Sequence, residues 1–217
     1  MSEKKQVVLE LYERLFEAFG PLHWWPAESR FEVIMGAVLT QNTAWRNVEK
    51  GIAALKARDL LSPEAMYNIP LSKLAALIRP CGYYNIKAER LKSFVMFLYK
   101  GYEGDLDKLL GIELITLRKE LLTVKGIGPE TADSIILYAA QKPSFVVDAY
   151  TQRVLYRHHL IPNDVSYDMI QNFFMDRLPR DVQLYNEYHA LLVHLGKSFC
   201  SKTRPKCVQC PLEGFNQ

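Results

Sequence analysis

Hydrophobic residues recur at intervals of three and four positions along most of the chain, which is the spacing that lines one face of an α-helix. In the first such segment they are Val8, Leu11, Leu15 and Phe19, and Gly20-Pro21 ends the repeat. The same repeat returns in three later segments: Val48, Ile52 and Leu55; Leu91, Val95 and Leu98; and Leu184, Tyr188, Leu191 and Leu195. Alternation typical of strands is nearly absent, so the pattern predicts an all-α fold.

The breaks between these segments are short. Gly20-Pro21, positions 79–82 and Lys142-Pro143 interrupt helices rather than separate independently folding parts. Ser62-Pro63-Glu64 predicts a helix start, with a capping hydroxyl, a proline at the first position and an acid in the first turn. The most strand-like run, Phe145-Val146-Val147, is too short to found a sheet.

Composition is that of an ordinary globular protein. The 217 residues are 49% hydrophobic and 24% charged, enough to bury a sizeable core as one domain or two small ones. No apolar run approaches the roughly 20 residues that span a bilayer, and the polar start of the chain does not resemble a secretory leader. We therefore expect a cytosolic protein with no membrane partner. A net charge of +3 permits an anionic partner but does not require one.

The most informative segment runs from position 123 to position 148. Gly126-Ile127-Gly128 predicts a turn with positive φ, which glycine adopts at little cost, and Pro129 suits the first position of a following helix. Amide groups at such a turn can hold a phosphate without a side chain. About twenty residues later, Asp148 ends an apolar run and begins another helix. The alternative is a plain turn between helices and an aspartate that only caps its helix.

Three of the four cysteines are clustered near the end of the sequence as Cys200, Cys207 and Cys210, whereas Cys81 stands alone. Clustered thiols in a cytosolic chain indicate a metal more than disulfides. An iron–sulfur cluster and a zinc ion held by three cysteines and one further ligand are the two alternatives.

Five phrases carry a resemblance to the endonuclease III superfamily, the helix-hairpin-helix DNA glycosylases, from about Phe31 to Cys210. They are Trp24-Trp25-Pro26 and positions 36–43 (GAVLTQNT), 82–88 (GYYNIKA), 126–133 (GIGPETAD) and 146–150 (VVDAY). Within the superfamily the chain is most similar to the bacterial 3-methyladenine DNA glycosylases of the endonuclease III type.

The resemblance implies a two-domain fold. A six-helix domain at 28–142 would contain the helix-hairpin-helix, and a second helical domain would form from 1–27 and 143–217, with a cleft for a flipped base. It also implies double-stranded DNA with damaged bases as the partner, and a cytoplasmic, nucleoid-associated location. We expect a monomer, because no long apolar helix face is left over.

The cysteine spacing matches the C-terminal iron–sulfur loop of this superfamily, which implies a structural [4Fe–4S] cluster on Cys200, Cys207 and Cys210. The position of the family's fourth cysteine is occupied by Asn216, whose amide oxygen is a poor ligand for cluster iron. Three outcomes stay open: a [4Fe–4S] cluster with one iron bound by Asn216, water or another ligand; a degraded three-iron cluster; or no cluster. A cluster would fix a basic loop against phosphates: Lys197, Lys202, Arg204 and Lys206.

One position bears on the reaction class. Bifunctional members of the superfamily carry a lysine nucleophile two residues after the second hairpin glycine, where this chain has Glu130. A carboxylate cannot form the Schiff base that β-elimination requires. Lys125 is near in sequence but on the other side of the hairpin. The resemblance therefore implies a monofunctional glycosylase without abasic-site (AP) lyase activity.

The resemblance also assigns the chemistry and the base pocket. Asp148 would stabilise the positive charge that develops on the sugar and position the attacking water. Trp24 and Trp45 would sandwich the base, with Trp25 and Pro26 shaping the pocket, because a cationic methylpurine stacks well on electron-rich rings. The alternative for these aromatic residues is core packing.

Two further residues are implied in opening the duplex. Gln41 would fill the gap that the flipped base leaves, and Tyr83 would wedge against the opposite strand. The backbone at Gly126 and Gly128 would hold a phosphate. Glu130 either faces the pocket or caps the helix after the hairpin.

Two other functions are kept open. One is a glycosylase for pyrimidine lesions or mismatched bases, with or without lyase activity from a displaced amine. The other is a non-catalytic helix-hairpin-helix DNA-binding protein. The histidine pairs His158-His159 and His189/His194 have no partner at a spacing that indicates a metal or acid–base site, and they are interpreted as surface or core residues.

Overall fold

The computed structural model describes residues 3–215, with side chains from Gln6 onward. This part of the chain is all-helical, as the hydrophobic repeat predicts, and no β-strand occurs in it. Its α-helices, in chain order, are α1 (Glu3–Phe19), α2 (Arg30–Leu39), α3 (Trp45–Lys56), α4 (Pro63–Asn68), α5 (Leu71–Leu77), α6 (Tyr84–Tyr102), α7 (Leu106–Gly111), α8 (Leu114–Thr123), α9 (Pro129–Ser134), α10 (Ala149–Arg157), α11 (Tyr167–Met175) and α12 (Val182–Ser198). Short 3-10 helices at Arg79–Cys81 and Cys207–Gln209 and one turn of π-helix at Ile135–Ala139 complete the helical structure.

The fold divides into two compact units. One, here termed the terminal unit, consists of the segment up to Pro26 and the segment from Pro143 onward; the other, the central unit, is Ala27–Lys142. The terminal unit contains α1 and α10 to α12, and the central unit contains α2 to α9 and the π-helical turn. None of the helices within residues 3–215 is long and apolar enough to cross a membrane.

Helix α2 supplies much of the core of the central unit, since every residue from Phe31 to Leu39 is buried. Ser29 begins the helix by accepting a hydrogen bond from the Glu32 N–H. The helix packs against α3, α6, α9 and the π-helical turn. The buried Glu32 carboxylate is paired with Lys56 of α3, with 3.0 Å between Oε1 and Nζ, which satisfies a charge that is costly to bury alone.

Helices α8 and α9 form the predicted helix-hairpin-helix. Gly126 has a φ of +89°, a left-handed conformation that favours glycine, and Pro129 is the first residue of α9. Arg118 of α8 donates to Asp133 of α9, with Nε 3.0 Å from Oδ1 and Nη2 3.2 Å from Oδ2. Because Asp133 is fully buried, this ion pair ties the two helices of the hairpin together.

The core of the terminal unit joins the two ends of the chain. Val8 and Leu15 of α1 are fully buried, as the repeat predicts, and the Tyr188 hydroxyl of α12 donates to the carbonyl oxygen of Val8 at 2.8 Å. Phe145 stacks on Phe174 of α11 with ring centroids 3.9 Å apart. Tyr188 meets the Phe145 ring edge-on at 5.7 Å, so the strand-like run that precedes Asp148 is buried among helices.

Candidate active site

The extended segment 145–147 delivers Asp148 to the start of α10. Its backbone groups bond to side chains of α11 instead of to a neighbouring strand, because buried backbone groups need partners. Gln171 Nε2 donates to the carbonyl oxygen of Phe145 at 2.8 Å, and the Val147 N–H donates to the hydroxyl of Tyr167 at 3.3 Å. The segment is therefore held in one position without a sheet.

Asp148 caps α10, as the alternative interpretation of its position predicts. Its Oδ1 atom accepts hydrogen bonds from the Thr151 N–H at 2.7 Å and from the Thr151 hydroxyl at 2.9 Å. Its Oδ2 atom lies 3.7 Å from Nε2 of His189. Burial opposes ionisation of Asp148, but His189 and the donors of Thr151 outweigh it and lower the pKa of the carboxyl. Capping uses one oxygen and leaves the other facing a histidine.

A glycine on α12 allows α10 and α12 to approach closely beside this pair. A Cβ atom at Gly196 would overlap the ring of Tyr150, two residues after Asp148. Arg153 of α10 adds two hydrogen bonds, from Nε to the carbonyl oxygen of Cys200 at 2.8 Å and from Nη2 to that of Gly196 at 3.2 Å. The packing of α10 on α12 thus brings His189 to Asp148.

Trp24, Trp25 and Pro26 lie in the terminal unit. The two indole rings are partly exposed and nearly perpendicular, with centroids 6.3 Å apart, so they do not stack on one another. Trp24 forms part of the wall of a cavity of about 510 Å³, together with α1, the segment that follows it and α12. Pro26 is exposed.

A lysine lies against Trp24. The Nζ atom of Lys197, near the end of α12, is 5.3 Å from the centre of the Trp24 ring system, within the range of a cation–π contact. Desolvation lowers the pKa of Lys197, and the Asp148 carboxylate opposes that shift. Lys197 is an exposed residue when all of its atoms are considered. Its ammonium group, however, is partly buried. Lys197 therefore contacts Trp24 and is also close enough to Asp148 for the two charges to interact.

The remaining residues of the predicted pocket belong to the central unit. Trp45 is the first residue of α3 and is partly exposed. Glu130 is exposed in the first turn of α9, where an acid complements the helix dipole.

The side-chain amide of Gln41 is bonded at both ends, through Nε2 to the hairpin and through Oε1 to α6. Nε2 donates to the carbonyl oxygen of Gly126 at 3.0 Å and to the hydroxyl of Thr131 at 2.9 Å. Arg90 of α6 donates to Oε1 of Gln41. The Arg90 stem also packs so closely on the hairpin that a Cβ atom at Gly126 would overlap it. The predicted gap-filling residue and the predicted phosphate-binding turn are thus joined through Arg90.

The other predicted DNA-binding residues lie at the surface of the central unit. Tyr83 is 71% exposed, so core packing does not explain this tyrosine. It follows Gly82, and the φ angles of Gly82 and Tyr83 are +64° and +46°. Gly128 is exposed with a φ of −95°. Of the two hairpin glycines, only Gly126 adopts the positive φ that the sequence predicts.

The cysteine loop contains three thiols in different surroundings. Cys200 is buried and accepts a hydrogen bond from Nη1 of Arg157 at 3.2 Å, whereas Cys207 is exposed. Burial raises the pKa of the Cys210 thiol, and the thiols of Cys200 and Cys207 add to that shift.

Within residues 3–215, no three histidine, cysteine, aspartate or glutamate side chains are grouped so that they could hold a metal ion. Asn216 lies outside the described residues. The [4Fe–4S] cluster stays a prediction from the sequence, and no chemical step is assigned to it.

Sequence reasoning misses three residues at these sites. His189 is interpreted from the sequence as an ordinary helix residue, but it faces Asp148. Lys87 lies in the phrase 82–88 but is given no role from the sequence, and neither is Arg90, although each of these α6 residues bonds to the turn after α2. Lys87 is 1% exposed. The sequence feature that could have identified it is a charged residue on a helix face that is otherwise buried.

Comparisons with known proteins agree with this arrangement. The family model HhH-GPD, described as a superfamily of base excision DNA repair proteins, matches residues 35–180. MJ1434 of Methanocaldococcus jannaschii, a candidate DNA repair glycosylase, is 45% identical over 99% of this chain and 98% of that protein.

Solved structures share the fold. The crystal structure of the H. pylori 3-methyladenine DNA glycosylase MagIII bound to 1,N6-ethenoadenine has a TM-score of 0.76 at 30% identity, covering 90% of this chain and 98% of that chain. A trapped endonuclease III–DNA covalent intermediate has a TM-score of 0.84 at 23% identity, covering 99% of this chain and 96% of that chain. At that identity the second likeness shows the fold alone.

Proposed function

This chain belongs to the HhH-GPD superfamily of base excision DNA repair proteins, and we propose that it is a monofunctional DNA glycosylase that hydrolyses the N-glycosidic bond of alkylated purines such as 3-methyladenine. The observation that carries the proposal is the carboxylate of Asp148. It caps α10, its side chain is 13% exposed, and its pKa is lowered beside His189, so it is ionised at neutral pH.

An ionised carboxylate suits the hydrolysis of an N-glycosidic bond. Positive charge develops on the sugar as the base leaves, and a fixed negative charge lowers the energy of that transition state. Oδ1 of Asp148 is committed to Thr151. Oδ2 is therefore the oxygen that faces the sugar or orients the attacking water, and Nε2 of His189 lies 3.7 Å from it.

The absence of lyase activity rests on the residue after Pro129. A lyase needs an amine that attacks the sugar to form a Schiff base. Glu130 supplies a carboxylate at this position, and hydrolysis by water is the reaction that remains. The product is then an abasic site in an uncut strand.

The substrate class rests on Trp24 and on one relative. An electron-rich indole face attracts a cationic methylpurine, and such a base leaves easily, so the enzyme needs little acid catalysis. MagIII, 30% identical to this chain, is a 3-methyladenine DNA glycosylase. The DNA partner would be held by backbone groups of the hairpin and by the basic residues near Cys200.

One observation favours a second substrate class. The ammonium of Lys197 lies over Trp24, where a cationic base would stack, and two positive charges at one ring repel. A neutral base, such as a pyrimidine lesion or a mismatched base, avoids that repulsion. Lys197→Gln would then increase the release of 3-methyladenine relative to that of uracil.

The test is base release from duplex DNA with radiolabelled methylpurines, with the product resolved by chromatography and abasic sites revealed by alkali. We expect 3-methyladenine to be released and strand breaks to appear only after alkali. Asp148→Asn would slow release by about 10²-fold or more. Release of uracil alone from parallel duplexes would establish the second substrate class.

Asp181 provides a matched control. It caps α12 by accepting a hydrogen bond from the Leu184 N–H at 2.7 Å, as Asp148 caps α10. Asparagine caps a helix about as well as aspartate, so Asp181→Asn would leave base release unchanged. Equal loss of release in both variants would reduce Asp148 to a structural cap and contradict the proposal.

A further inference from the structure

Lys87 is a buried lysine that the proposed reaction does not use. It lies in the first turn of α6 and is 1% exposed, and its backbone N–H donates to the carbonyl oxygen of Tyr83 at 2.9 Å. Burying an ammonium is costly unless its three N–H groups find acceptors. The positions of the acceptors therefore indicate which parts of the structure the Lys87 ammonium connects.

The three acceptors of Lys87 lie in three different segments. Nζ donates to the carbonyl oxygens of Leu39 and Cys81, each at 2.8 Å, and to the hydroxyl of Thr43. Leu39 is the last residue of α2, and Thr43 lies in the turn between α2 and α3. Cys81 ends the 3-10 helix that precedes α6. All three donors of the ammonium are used.

Thr43 extends this network to Gln41. Its hydroxyl lies 2.6 Å from the carbonyl oxygen of Cys81 and 3.3 Å from that of Gln41, and its single proton serves these two acceptors. Gln41 is two residues before Thr43, and Tyr83 is two residues after Cys81. The two turns that carry the predicted DNA-inserting side chains thus share one polar hub, Lys87–Thr43.

We propose that Lys87, acting with Thr43, is a positioning residue that fixes the spacing of Gln41 and Tyr83, so that both side chains enter the duplex together. The inference rests on the proposed roles of these two residues in base flipping. Charge-assisted hydrogen bonds to carbonyl oxygens are directional. Apolar packing at the same place would remove the Lys87 donor from the carbonyl oxygens of Leu39 and Cys81 and leave the Thr43 hydroxyl as the donor to Cys81.

The test measures insertion without requiring catalysis. The probe is a duplex with a tetrahydrofuran abasic analogue and 2-aminopurine at the opposite position, whose fluorescence rises when the base loses its stacking partners. Wild-type protein would raise the fluorescence on binding. Lys87→Met would reduce this rise at least threefold at saturating protein, while the dissociation constant changes less than threefold, because the hairpin still holds the phosphates.

Two control pairs separate positioning from stability. Lys92, also in α6, donates to the carbonyl oxygens of Met66 at 2.9 Å and Tyr67 at 2.7 Å, away from both turns. Lys92→Met would therefore keep the wild-type fluorescence. Thr43→Val removes the hydroxyl and keeps the shape, whereas Thr43→Ser keeps the hydroxyl. Of these two variants, only Thr43→Val would reduce the fluorescence rise as Lys87→Met does.

Each outcome decides the inference. Folded Lys87→Met with the wild-type fluorescence rise would overturn it, and so would equal losses in Lys87→Met and Lys92→Met. If Lys87→Met does not fold, the comparison of Thr43→Val with Thr43→Ser decides in its place. Failure of the wild type to release any base, with the variant differences intact, would refute the proposed glycosylase substrate and leave the role of Lys87 standing.

Discussion

His189 and Asp148 face one another with 3.7 Å between Nε2 and Oδ2, while the other oxygen of Asp148 is taken by the cap of α10. The carboxylate therefore has one structural oxygen and one oxygen beside an ionisable ring. A histidine in this position orients the carboxylate and lowers its pKa. These two effects are what an electrostatic catalyst of glycosidic cleavage requires.

Replacing His189 would slow base release without abolishing it. We expect His189→Asn to reduce the single-turnover rate about tenfold, which corresponds to ~1.4 kcal/mol of transition-state stabilisation. His194, an exposed residue of the same helix that contacts the Phe19 ring, gives the control variant His194→Asn, with no change in rate. Equal rates for both variants and the wild type would exclude His189 from the site.

The lowered pKa of Asp148 predicts a pH dependence of folding stability. A carboxyl whose folded-state pKa lies below its ordinary value of about 3.9 stabilises the fold above that pH and loses its contribution as pH falls through the folded-state pKa. Asp148→Asn should therefore cost more stability near neutral pH than in acid below about pH 4. Urea unfolding of both proteins at several pH values measures the difference.

Asp181→Asn again isolates the effect of the charge at Asp148. Asparagine retains the cap in both variants, and Asp181 is exposed, so solvent screens its charge. A pH-independent difference between the wild type and Asp148→Asn would contradict the lowered pKa.

The sequence predicts the local features well. The start of α4 at Pro63, the proline that begins α9 and the cap at Asp148 follow from chemistry within four residues, and the structure has all three. The all-α class follows from the spacing of apolar residues. Val8 and Leu15, two residues of this repeat, are buried in the core. Such features need no knowledge of distant contacts.

Distant contacts account for what the sequence does not predict. His189 meets Asp148 where α12 packs on α10, with Gly196 against the Tyr150 ring, and nothing in the spacing of the histidines indicates this. Arg90 bonds to Gln41, which is 49 residues earlier in the chain. Gly126 and Gly128 are both glycines, yet only Gly126 has a left-handed backbone conformation, because the hairpin needs one reversal of the backbone. Pairings of this kind are set by tertiary packing.

The two hairpin glycines would respond differently to alanine. At Gly126 the φ of +89° and the overlap with Arg90 predict a destabilisation of ~1–3 kcal/mol. At Gly128 the φ is −95° and no atom lies within 4 Å of a Cβ atom, so the free energy of unfolding should change by less than ~1 kcal/mol. Thermal or urea unfolding measures both.

Gly128→Ala should nevertheless weaken DNA binding. Its methyl group would project from the exposed surface of the hairpin, where we propose that backbone amides hold a phosphate, and a lost phosphate contact lowers affinity for any sequence. Titration of a duplex containing an abasic analogue measures this. Unchanged affinity in Gly128→Ala would place the phosphate elsewhere, and equal unfolding energies for the two variants would refute the assignment of strain to Gly126.

Introducing an amine at position 130 tests whether Glu130 accounts for the proposed lack of lyase activity. If this position faces the sugar, the amine introduced by Glu130→Lys would attack C1′, open the ring and form a Schiff base that borohydride reduces to a stable protein–DNA adduct. Wild-type protein would give no adduct on abasic DNA.

Glu64 offers a matched control for Glu130, since both residues are exposed and follow a proline at the first helical position. Glu64→Lys changes the charge equally and should not be trapped, and both variants share a helix-dipole cost of about 0.3–1 kcal/mol. An adduct with wild-type protein would overturn the monofunctional assignment, while its absence in Glu130→Lys would remove this position from the site.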